Sequence, residues 1–107
     1  MAYGSITNLF PELSKELSSL LRDMGKGELA DQVESLSVVD KCRCGDGFCS
    51  SFYTVSKPDG AWGPNHENVS LTTPDGMLIL DVVDGNISYV EVLDRPGFKV
   101  ILDGAVP

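Results

Sequence analysis

The run from Met77 to Leu93 constrains this chain most. Met77-Leu-Ile-Leu-Asp-Val-Val83 and Ile87-Ser-Tyr-Val-Glu-Val-Leu93 are rich in aliphatic and β-branched residues, with Asp84-Gly85 between them. An Asp-Gly link between two such runs is a strong hairpin signal, because both residues tolerate the positive φ that a two-residue turn demands. Alternation along the first strand puts Leu78, Leu80 and Val82 on one face, and Met77, Ile79 and Val83 on the other. Apolar residues on both faces call for cover on both, or for a second copy of the chain against the outer face. Such a hairpin belongs in the middle of a sheet.

Upstream of about residue 37 the pattern is helical. Apolar residues at Phe10, Leu13, Leu17, Leu20, Leu21 and Met24 recur every three or four positions. Asn8 can cap this helix, Pro11 suits its first turn, Glu12 sits at its positive end, and Gly25 and Gly27 stop it. A shorter helix fits Glu28 to Ser35, with Leu29 and Val33 inward. Both helices read as a layer covering a core.

After Ser37 the period changes from helix to strand. Val38 to Cys44 and Phe48 to Val55 are strand-like and flank Gly45-Asp46-Gly47. Asn68 to Thr72 is a short strand that follows a loop from Ala61 to Glu67. Phe98 to Leu102 fits a strand or a helical turn. Serial hairpins make an antiparallel meander. The expected class is α+β: two N-terminal helices packed on a mostly antiparallel sheet of about five strands. At 107 residues the chain, 1–107, reads as one domain with enough length for its own core.

Charge narrows the function classes. Eight Lys and Arg stand against sixteen Asp and Glu, for a net charge of −8. The acids alternate with apolar residues and do not form a tail. Such a surface repels nucleic-acid phosphates. It suits a basic protein partner, a metal ion or simple solubility. The N-terminal stretch shows neither a basic region nor an apolar run, so the expectation is a cytoplasmic protein with no membrane span. In that setting the glycosylation sequons at Asn68 and Asn86 carry no meaning, and clustered thiols are reduced or metal-bound before they are structural disulfides.

All three cysteines fall in the eight residues Cys42-Arg-Cys-Gly-Asp-Gly-Phe-Cys49. If Asp46-Gly47 is a two-residue hairpin loop, Gly45 faces Phe48 and Cys44 faces Cys49. Cys42 then points to the same side as Cys44. Cys42, Cys44 and Cys49, with the single histidine His66, have the donor types of a zinc site. The spacing departs from the usual pairs of cysteines two to four apart. Buried free thiols and a reversible Cys44–Cys49 disulfide are the competing readings.

The loop Gly60-Ala-Trp-Gly-Pro-Asn-His-Glu67 holds the only tryptophan and the only histidine. Trp62, His66 and Glu67 are therefore candidates for contact with a partner, since tryptophan is enriched at interface hot spots. The alternative is that Trp62 folds back onto the sheet. A Cys–His–acid arrangement with Asp46 or Glu67 is formally open, but no phosphate loop, zinc-protease motif or calcium loop occurs, and no catalytic set is expected.

Two segments carry a resemblance. Cys42 to Thr54, followed by Gly60-Ala-Trp-Gly-Pro64, is similar to a motif in small uncharacterised bacterial proteins. Gly76 to Asp94 resembles the hairpin of another small bacterial domain of unknown function. Together they cover about half the chain. They imply a bacterial cytosolic origin and an α+β fold, and no activity. The functional expectation is a non-enzymatic interaction domain for a basic protein, such as an immunity or antitoxin-type inhibitor, acting as monomer or homodimer. The alternative is a small zinc-binding or thiol-redox module.

Overall fold

The computed structural model describes residues 2–43 and 49–107. It is an α+β fold with three helices, a five-stranded antiparallel sheet and a final helix. Helix α1 spans Ile6–Leu9, α2 Pro11–Asp23 and α3 Gly27–Val33. Asn8 does not cap the Pro11 helix: the N-cap of α2 is Phe10, with no side-chain cap, while Ser5 caps the short α1 before it, its Oγ accepting from the Asn8 amide at 3.1 Å. Asn8 lies inside α1. Phe10, at φ −135°, interrupts the helical path, and Pro11 restarts it because its fixed φ suits a first turn. Leu13, Leu17 and Leu21 then form the buried stripe of α2. Gly25 ends the turn at φ +75°, where residues with a Cβ are strained.

The strands are β1 (Asp40–Lys41), β2 (Phe52–Tyr53), β3 (His66–Leu71), β4 (Met77–Val83) and β5 (Asn86–Leu93). Their spatial order is β1-β2-β5-β4-β3, so the β4–β5 hairpin is interior as its apolar faces require. Asp84 and Gly85 turn at φ +52° and +78°, the double positive φ of the expected two-residue link. A bulge follows: Asp81 pairs with Tyr89 while Val82 pairs with Ile87, leaving Ser88 extra. β1 and β2 pair Asp40 with Tyr53 and Lys41 with Phe52, the register a two-residue Asp46-Gly47 loop would set. That loop and Cys44 lie outside the described residues. Short as they are by pattern, both strands extend through Val39 N to Tyr53 O, Cys42 N to Ser51 O, and a bridge between Cys49 and Leu93.

Helix α4 spans Pro96–Ala105, resolving the ambiguity over Phe98 to Leu102 in favour of helix. All four helices pack on one face of the sheet. Ile6, Leu17, Val33 and Leu102 share a core with Phe52, Leu78, Leu80, Val82, Val90 and Val92. Phe10 stacks on Phe52 at 5.6 Å and meets Phe98 edge-on at 5.5 Å, joining helix, sheet and α4. Each fully buried side chain of this size contributes about 1.5–3 kcal/mol.

Two polar clamps fix the layers. Gln32 on α3 donates to Gly85 O at 2.7 Å and accepts from Ile87 N at 2.9 Å, tying the hairpin turn to the helices. Arg95 grips both Glu16 oxygens, at 2.5 and 2.8 Å, and donates to Thr73 and to Asp75 O. That contact holds the Glu16 carboxyl below its ordinary range, against the opposing effect of burial. Among the described residues no helix is long and apolar enough to cross a membrane.

Candidate functional site on the outer sheet face

Strand alternation gives the sheet a second face that carries no helix. One rung of it crosses all five strands: Asp40 pairs with Tyr53, Tyr53 with Tyr89, Tyr89 with Asp81, and Asp81 with Asn68. The Tyr53 and Tyr89 rings lie 4.4 Å apart. Trp62, half-buried, reaches over from the loop before β3 and contacts Tyr53 and His66, each at 6.2 Å. The tryptophan thus folds onto the sheet and remains partly open to solvent.

Asp81 sits at the centre of the polar part. Its residue is only 7% exposed. His66 Nε2 lies 2.7 Å from its Oδ1, and Asn68 Nδ2 donates to the same oxygen at 2.5 Å. Asp81 Oδ2 takes no hydrogen bond from the described residues. On the next rung Glu91 pairs with Ile79. Partial burial pushes the Glu91 carboxyl above its ordinary range, and the charge of Asp81 adds to the effect. Among the described residues no lysine or arginine pairs with Glu91 or Asp81. Ile79 faces Glu91 across the strands, and Met77 and Leu93 form the next rung of this face, with Met77 49% exposed.

A thiol corner adjoins the rung. The Tyr89 phenol is pushed above its ordinary range by burial first and by a hydrogen bond to Cys42 second, while Ser51 pulls the other way. Cys49 is buried and donates to Ser51 Oγ at 3.4 Å. Cys42 and Cys49 therefore both flank Tyr89. His66 does not join them. It lies on β3, at the opposite edge of the sheet from β1 and Cys42, four strand spacings or roughly 19 Å of backbone away. Among the described residues no three His, Cys, Asp or Glu side chains form a metal-holding group; Cys44 lies outside them.

Of the loop candidates, Trp62 and His66 come together on the outer face. Glu67 does not: it pairs with Val82, on the helix side, and borders a hollow with Lys26, Glu28 and Gly85. The sequence draws no attention to Tyr53 or Tyr89, and it suggests solvated strand positions for Asp81 and Glu91, whereas Asp81 is buried and Glu91 partly so. The register that aligns them depends on pairing between segments distant in sequence, although alternation alone puts Tyr89 and Glu91 on one face. No family model, curated protein or solved structure matches this chain.

Proposed function

We propose that this chain is a non-enzymatic interaction domain that binds a basic protein through the outer face of its sheet. The observation that supports this reading is Glu91: a partly buried carboxylate, without a cationic partner among the described residues, set in apolar and aromatic surface. Keeping that charge away from water costs stability in the free protein, and a cation brought by a partner offsets the cost. The surroundings have the anatomy of a binding patch, with Trp62, Tyr53 and Tyr89 as aromatic anchors and Met77, Ile79 and Leu93 as apolar contacts. The net charge of −8 steers basic partners toward the domain.

An amide NMR titration with nona-lysine tests the reading. Shifts centred on Ile79, Tyr89 and Glu91 that fade with added salt support it. Shifts confined to the acidic helix surfaces of α2 and α3 would reject it.

A second reading rests on the two thiols. Cys42 and Cys49 lie at one corner of the outer face beside Tyr89, so a small zinc or thiol-redox module would be sited there. Zinc retained at one per chain after purification, with a lower melting temperature on chelation, supports it; metal-free protein whose thiols react only on unfolding counts against it.

A further inference from the structure

Helix α4 is apolar on two faces. Phe98, Leu102 and Ala105 turn inward to the core. Gly97, Val100, Ile101 and Gly104, spaced three and four apart, turn to solvent. Val100 is 75% exposed and Ile101 43%. A helix that is apolar all round is normally covered all round, and contiguous exposed apolar surface marks an interaction site. The helix has two charged residues, Lys99 and Asp103, which lie four apart on one flank and pair at 3.5 Å. Beside the outward face opens a hollow of about 380 Å³, lined by Asp75, Arg95, Gly97, Phe98 and Ile101. Beyond the helix itself, no atom lies within 4 Å of a Cβ placed on Gly97 or Gly104.

The face matches itself in shape and in charge. Val100 projects from it, and Gly97 and Ile101 open a recess one turn away on the same helix. A two-fold axis that sets two copies of α4 antiparallel puts Val100 of each copy over that recess in the other. Such self-complementarity is what an isologous contact requires. The glycines let the helix axes approach toward the short end of the usual 8–10 Å or so. Antiparallel packing also brings like flanks together, so Lys99 of each copy meets Asp103 of the other. The surroundings do not repel a second acidic chain. Four of the eight Lys and Arg, namely Lys41, Arg43, Arg95 and Lys99, border α4, and each pairs with an acid there. We propose that α4 is a two-fold, antiparallel dimer interface between copies of this chain. It lies on the helix side, so the dimer leaves the outer sheet face open and does not depend on the basic-partner reading. One ten-residue helix per copy falls short of the roughly 1,600 Å² of a standard interface, so the dissociation constant is on the order of 0.1 mM.

Sedimentation equilibrium of the full chain, with its thiols kept reduced, tests this from about 10 μM to about 1 mM. The average mass should climb from one chain toward two. Val100→Glu should weaken association at least about tenfold. Met24→Glu, an equal charge change at an exposed apolar residue closing α2, should leave it intact. Lys99→Glu and Asp103→Lys should each hinder self-association. A mixture of these two should nevertheless pair, because each supplies the charge that the other lacks across the axis. A chain that stays monomeric at the highest concentration overturns the proposal. So does association that survives Val100→Glu, which puts the interface elsewhere, or that both glutamate variants weaken equally, which leaves only net charge. Failure of the two charge variants to pair on mixing overturns the antiparallel arrangement. A thermal melt checks that Val100→Glu folds, and Ile101→Glu is the second variant should it not.

Discussion

Replacing Leu80 with alanine tests the division of the sheet into a covered and an open face. Leu80 is fully buried on interior strand β4, opposite Val90 on one side and Val69 on the other, both buried. The change removes three carbons and leaves a cavity between two paired strands. For a site this enclosed, Leu→Ala costs about 3–4 kcal/mol, the transfer loss plus the cavity. With the roughly 1–3 kcal/mol per molar urea dependence of a small domain, the midpoint should fall by at least about 1 M. Met77→Ala on the same strand is the internal control. Its side chain is half exposed on the other face, so its cost should stay below about 1 kcal/mol. Equilibrium urea unfolding, followed by far-ultraviolet circular dichroism, measures both. A loss below about 1 kcal/mol for Leu80→Ala, or equal losses for the two variants, would refute the assignment of faces.

Four further outcomes follow from particular contacts. Gly76 turns at φ +67° and an added Cβ would run into Leu93 O, so Gly76→Ala should cost more than about 1–2 kcal/mol by the same unfolding measurement. Gln32→Ala strips the hairpin turn of both its helix contacts, and should lower stability by about 1–2 kcal/mol and speed amide exchange at Ile87. The Glu16 carboxyl is held low in the folded state, so its bond to Arg95 stabilises at neutral pH and is lost as pH falls through the folded value; Arg95→Ala should flatten the acid limb of the stability profile. Glu91 has the opposite sign. Its raised folded value means that its charge costs stability above that value, so Glu91→Gln should raise the melting temperature at pH 7 and lose this advantage below the ordinary carboxylate range.

Much of the architecture was legible because local chemistry and tertiary need agree. The β4–β5 hairpin is the clearest case, since Asp84-Gly85 dictates both turn type and register, and the apolar runs dictate an interior place. The β1–β2 register likewise matches a turn inferred from sequence. Boundaries were less legible where the decision is not local. Asn8 does not cap α2, because it lies inside a separate short helix, α1, that Phe10 divides from the Pro11 helix. Phe98 to Leu102 has too few residues for its period to separate strand from turn, and packing of Phe98 and Leu102 into the core decides it. The outer-face site was half legible. Trp62 and His66 stood out as unique residues. Tyr53, Tyr89 and Asp81 are aligned only by pairing across β2, β5 and β4, and no single segment encodes that alignment. Cys42, Cys44, Cys49 and His66 have the donor types of one zinc site; the strand order puts Cys42 and His66 on opposite edges, and Cys44 lies outside the described residues.

In the proposed function the outer face, and not net charge alone, recognises a basic partner. Two charge reversals of equal size separate these. Glu91→Lys changes the open face, and Glu34→Lys changes an exposed position at the end of α3. Binding of nona-lysine by isothermal titration calorimetry at physiological salt is the measurement, on variants with native circular dichroism. Glu91→Lys should weaken binding at least about tenfold, and Glu34→Lys by no more than about twofold, because a distant exposed charge is screened within a Debye length of about 8 Å. Equal weakening by the two variants would contradict the claim and leave only a diffuse acidic surface.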